Sequence, residues 1–158
     1  MQPEEDRPDL RDQAPGPASP GSHRNHARAA LLARTPSQPL PTAVTRILAR
    51  GLRRTRDGCL LLAALAHRAD PLAIERMGDR TGLECFVNQI ELPAAAITAF
   101  VTTLAARLRA ALPTGGWAIV VRVVEGTALG TFHQERVGEP FSDRAPDAWA
   151  EPLWIERP

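Results

Sequence analysis

Lysine and tyrosine are missing from these 158 residues, so all 19 basic groups are arginines. An arginine-only basic set in a chain rich in alanine and proline suggests a GC-rich coding sequence, which lowers the weight any single arginine carries. Aromatic residues make up 4% and the formal charge is +1. That balance excludes the whole-chain basicity of a histone-like nucleic-acid coat but leaves a local basic patch open. The two cysteines, Cys59 and Cys85, have no CxxC spacing and no second pair. A disulfide framework and a zinc knuckle are therefore excluded, and two buried thiols in a reducing compartment are expected.

Long apolar runs are missing too. The longest unbroken one is Cys59 to Ala66, and Leu92 to Ala106 is interrupted by threonines before Arg107. Neither matches the roughly 20 apolar residues of a membrane span. The opening MQPEEDRPDLRD is acidic where a secretory signal would be basic and then apolar. A small bacterial cytoplasmic protein is expected. No Walker loop, GxSxG elbow, dinucleotide fingerprint or HExxH pair occurs. His23 and His26 form an HxxH pair with no further ligand at suitable spacing, and His67 stands alone, so no cofactor and no metal are expected.

Charged residues at 23% and hydrophobic residues at 44% fit one folded domain with an appendage. Eight of the 15 prolines fall within residues 1–41, which contain no aromatic residue. Such a segment buries too little apolar surface to offset its ordering entropy. It reads as a disordered Pro/Arg-rich tail, or as the product of a start codon placed too far upstream, with a single small α+β domain over 42–158.

Within that domain Val44, Ile47, Leu48 and Leu52 recur at helical spacing, while Arg46, Arg50, Arg53, Arg54 and Arg56 fill the opposite arc. This predicts a basic amphipathic helix over 42–56, with Gly51 marking a close helix crossing. Cys59 to Arg68 predicts a second, buried helix, although periodicity leaves a strand over Cys59 to Leu62 open. A short helix from Asp70 to Met77 should follow. Leu83 to Leu92, between Gly82 and Pro93, predicts a strand. Pro93 to Leu112 predicts a helix, and Trp117 to Val124 a strand buried on both faces. A hairpin turn at Glu125-Gly126-Thr127 leads into a strand over Ala128 to Val137. An irregular acidic segment over 138–158 ends in an edge strand near Leu153 to Glu156. The order is two N-terminal helices followed by β-α-β-β-β, giving a small mixed sheet of about four strands with a parallel crossover through Pro93 to Leu112.

Three sets of residues carry candidate chemistry. Phe141, Trp149 and Trp154 are aromatic anchors in an acidic, proline-spaced segment, suited either to clamping it on the core or to holding a partner protein. The leading expectation is a non-catalytic protein-protein interaction module, an adaptor, regulator or inhibitor-like binder working through this segment or a sheet edge. The alternative is nucleic-acid binding by the five arginines over 46–56, with the acidic segment competing for the same surface. The third is a thiol or acid-base enzyme centred on Cys85, His133 and Glu135. There Thr131, His133 and Glu135 share one strand face and could line a shallow site with Arg122, Asn88 or Glu84, the competing reading being a solvent-facing strand.

Overall fold

A computed structural model describes residues 22–24, 36–70, 73–124, 127–139 and 154–158. The first helix, α1 (Thr42–Ala49), starts behind Pro41 and buries Val44 and Leu48, which lie one turn apart. It is shorter than the predicted 42–56 because Gly51, at φ 76°, turns the chain into a left-handed conformation. A Cβ there would meet nothing within 4 Å, so Gly51 is a helix stop and not a close helix crossing. The chain continues as a hairpin of β2 (Leu52–Arg54) and β3 (Leu60–Leu62), paired antiparallel with Arg53 opposite Leu61. The predicted second helix is thus a strand followed by a 3-10 stretch over Ala63–Arg68. Leu60, Leu61 and Leu62 are all buried, and a strand covered on both sides shows no alternation.

Next come α2 (Ala73–Met77) and α3 (Arg80–Val87). The second replaces the first half of the strand predicted over 83–92. Asp79 caps it by accepting a 2.7 Å hydrogen bond from the Gly82 amide, and its buried residues include Leu83 and Val87, one turn apart. Only Ile90–Leu92 is extended, as β4. A 3-10 turn over Ala94–Ala96 leads into α4 (Ile97–Ala111), as the sequence predicts for that region. By length and composition Ala94–Ala111 is long and apolar enough to cross a membrane. Its Ile97, Phe100, Val101, Leu104 and Leu108 are buried in the core it shares with the sheet.

That sheet contains β1 (Ser22–Arg24), β4, β5 (Trp117–Val124), β6 (Thr127–Gln134) and β7 (Trp154–Glu156), in the order β1-β7-β5-β6-β4. Every pairing is antiparallel, which corrects the mixed character expected of a sheet of about four strands. The correction follows from where the last strands insert. Both β4 and β5 run antiparallel to β6, so they are parallel to each other with β6 between them, and the α4 crossover skips one strand. Similarly, β7 is flanked by β5 and β1 and is not an edge. Trp117 through Val121 are buried, matching the predicted two-sided burial of that strand.

The two faces of β6 are set by alternation. Gly130 faces α4 so closely that a Cβ would collide with the Phe100 ring, while on the other face the Thr131 hydroxyl donates to the Cys85 carbonyl of α3 at 2.8 Å. The sheet is therefore held between α4 and α3. Of the tail read over 1–41, residues 1–21 and 25–35 lie outside the described residues. Ser22–Arg24 pairs with β7, and Leu40 packs against the core.

Candidate functional site

Every buried backbone N–H and C=O needs a partner, and at two strand ends that partner comes from a helix. Antiparallel pairing leaves the Leu60 and Leu62 main-chain groups pointing away from β2, and beyond the end of β4 the Phe132 and Gln134 groups of β6 have no strand beside them. Both gaps are filled from α3 by Glu84 and Asn88, four residues apart and so on one helix face. The Leu62 amide donates to Asn88 Oδ1 at 2.8 Å, and Asn88 Nδ2 donates to the carbonyls of Leu60 at 3.0 Å and Phe132 at 3.2 Å. The Leu60 and Gln134 amides each donate to a Glu84 carboxylate oxygen at 2.7 Å. Two side chains thus stand in for a strand between the hairpin and the main sheet.

Glu84 and Asn88 are both fully buried. The Glu84 charge is met by Arg136, whose Nη2 lies 2.6 Å from Oε1 and Nη1 3.1 Å from Oε2, and Gln134 Nε2 adds a bond of 2.8 Å. This bidentate geometry is the form in which a buried carboxylate and guanidinium best offset their desolvation. Gln134 Nε2, Arg136 and Arg54 also donate to the Gly58 carbonyl, so the hairpin turn is tied to the same centre. Five donors occupy Glu84, which leaves its carboxylate engaged in structure.

The structure sets the proposed catalytic trio in environments that disfavour its chemistry. Cys85 lies on α3 instead of a strand, and burial pushes its thiol up to about 12, further from the thiolate a nucleophile requires. His133 is 3% exposed, beneath α3, and desolvation lowers its pKa despite the Nδ1 contact to the Gln134 carbonyl at 2.9 Å. Thr131 is buried alongside it, so two of the three residues in the row expected to face solvent or to line a shallow site are covered, and Glu135 alone is exposed. Glu135, past the strand end, is paired with Arg157 at 2.6 Å. Cys59 is also buried and its thiol is raised, first by desolvation and then by the charge of Glu84.

The five arginines are split among three elements. Arg46 lies on α1, Arg50 at its end, Arg53 and Arg54 on β2, and Arg56 in the hairpin turn. All are exposed, and among them Arg54 is anchored, donating to Gln134 Oε1 at 3.2 Å. Among the described residues, Arg46, Arg50, Arg53 and Arg56 form no ion pair. Trp154 is 5% exposed, belongs to the core, and its indole N–H donates to Glu156 at 2.9 Å. It clamps β7 onto the domain, while Phe141 and Trp149 lie outside the described residues. His67 is exposed, and no group of His, Cys, Asp or Glu among the described residues could hold a metal.

The polar bridge lay half-hidden in the sequence. Its signal was Asp79 as a cap followed by Glu84 and Asn88 on one stripe beside Leu83 and Val87; Gln134 and Arg136 gave no such cue. No protein-family model matches the chain, and neither a curated protein nor a solved structure is significantly similar to it.

Proposed function

We propose that this chain is a non-catalytic protein-interaction module, an adaptor, regulator or inhibitor-like binder of a bacterial cytoplasm. The observation that carries this reading is the disposition of charge. Glu84, Glu135 and Glu139 are all spent on arginines, at 2.6, 2.6 and 3.0 Å, whereas Arg46, Arg50, Arg53 and Arg56 face outward with no ion pair to a described residue. Acids paired within the structure, one of them fully buried, and exposed bases left available suit a surface that binds better than a site that reacts. The two free thiols, Cys59 and Cys85, fit a reducing compartment.

Nucleic-acid binding is the second reading, favoured by the same exposed arginines. Against it, no Phe, Trp or Tyr lies between Thr42 and Cys85, and among the described residues Phe86 on α3 is the one exposed aromatic, too few for a stacking platform. The deciding experiment immobilises the full chain and passes native lysate over it at low and high salt, with and without nuclease. A discrete protein retained after nuclease is the expected result. Recovery of nucleic acid alone, lost at high salt, overturns it in favour of the second reading, and an empty bait removes support from both.

A further inference from the structure

We infer that the outer edge of β2 is the docking strand of this module and that it takes an extended acidic segment of a partner protein, added to the hairpin as a third strand. The inference rests on the interaction-module reading and narrows it to one edge and one chemistry. In an antiparallel ladder the main-chain groups of alternate residues point to opposite sides. The Ala63 amide donates to the Gly51 carbonyl and the Thr55 amide to the Cys59 carbonyl, so Gly51, Arg53 and Thr55 face β3 while Leu52 and Arg54 turn their N–H and C=O outward. On the far side of the hairpin the equivalent groups of Leu60 and Leu62 are taken up by Glu84 and Asn88. The outward groups of Leu52 and Arg54 bond no described residue. One edge of the hairpin is closed by α3 and the other presents two donors and two acceptors in strand geometry.

Charge selects the occupant. Short, charged edges ordinarily resist pairing, but that resistance depends on the sign of what approaches. A second copy of β2 would set arginine against arginine, whereas an acidic strand with carboxylates on one face would meet Arg53 on one side of the hairpin or Arg54 on the other, with exposed Arg50 and Arg56 at either end. Strand addition obtains affinity from the main chain and specificity from the side chains, and this edge supplies both. The phosphates of a nucleic acid could accept from the guanidinium groups and the outward amides but have no donor for the outward carbonyls of Leu52 and Arg54, whereas a peptide strand answers both.

The probe is a blocked seven-residue peptide alternating Glu and Val, titrated into the 15N-labelled full chain. Two further versions carry N-methyl groups on alternate residues, so that each lacks the donors of one edge while keeping every charge. The Leu52 and Arg54 amides should move and become protected from exchange, and one of the N-methylated versions should lose most of its binding. In the protein, Arg54→Pro should bind the peptide roughly fivefold more weakly than Arg54→Ala, since the two variants differ by one outward donor. The N-methylated peptides leave the protein unaltered and decide the matter even if Arg54→Pro folds poorly. Equal binding by all three peptides, or no movement of the two amides, overturns the inference. So does a DNA duplex or single strand that perturbs the same amides with higher affinity. If a lysate protein is captured equally by Arg54→Pro and by the parent chain, the β2 assignment fails while the interaction-module reading stands.

Discussion

Consider replacing Glu84 by Gln, a change that keeps the shape of the side chain and removes its charge. Oε1 accepts from the Leu60 amide, Gln134 Nε2 and Arg136 Nη2, and Oε2 accepts from the Gln134 amide and Arg136 Nη1. A glutamine has one acceptor oxygen, so its NH2 group must confront either two of these donors or three. At least two bonds are lost, each costing about 1–2 kcal/mol, with the higher figure for the charged one. Arg136, whose side chain is 12% exposed, also loses its counter-charge. Breaking one half of a buried pair costs about 3–5 kcal/mol, and 3 kcal/mol is a large part of the roughly 5–15 kcal/mol that holds a domain together. With a urea m-value of about 1.5 kcal/mol/M, the unfolding midpoint should fall by about 2 M. Urea titration followed by tryptophan fluorescence measures it. Arg136→Met should cost a similar amount, and the double variant should cost less than the sum of the two by more than about 1 kcal/mol, because it leaves no stranded charge. A loss below about 1 kcal/mol for Glu84→Gln at unchanged m-value would refute the claim that this carboxylate joins the two sheets.

Three further outcomes are expected. Because the pKa of His133 is lowered on folding, the unfolded chain binds the proton first, so its contribution is intact above the ordinary value of 6.5 and is lost as pH falls from there towards the depressed folded value. Stability measured across that window should therefore decline, and His133→Asn should flatten the slope; Glu139, held low by Arg80, acts only below its ordinary 4.5. Iodoacetamide at pH 8 should leave buried Cys59 unlabelled in the native protein and label half-buried Cys85 far more slowly than in denaturant, and native labelling of Cys85 at the rate of a free thiol would contradict its raised pKa. Gly51→Ala should cost about 1 kcal/mol through its positive φ alone, with Gly51→Asn closer to neutral. Gly130→Ala, which drives a methyl into Phe100 and Leu92, should cost about 1–3 kcal/mol in the same denaturation assay.

What could be read from the sequence followed the strength of the local pattern. The α4 helix and the β5–β6 hairpin were legible because six apolar residues at helical spacing and a β-branched run interrupted only by Arg122 each leave one sensible solution. The stretch from Leu83 to Leu92 misled because Cys85, Phe86, Val87 and Ile90 suit a pleated sheet, whereas the local structure is set by the Asp79 cap and by the polar pair that must reach two strand edges. Leu60 to Leu62 misled for the converse reason, since a strand buried on both sides has no period. Beyond the β5–β6 hairpin, the all-antiparallel order of the sheet was not readable. It depends on β7 and β1 arriving from opposite ends of the chain, and nothing local announces a long-range pairing. For Cys85 and His133 residue type was legible but environment was not: packing against α3 raises the thiol pKa and lowers that of the imidazole.

The Glu84 and Asn88 bridge also bears on how this domain can change over time. A main-chain ladder is indifferent to spelling, since nearly any side chain can sit in it while amides and carbonyls meet. Here the seam between hairpin and sheet is written in two particular letters, a carboxylate and a carboxamide four residues apart, and few substitutions preserve it. The amides of Leu60, Leu62 and Gln134 consequently share one fate, because each is shielded only while α3 stays docked. Whatever loosens that helix releases the two sheets from each other together, without either needing to lose a strand of its own.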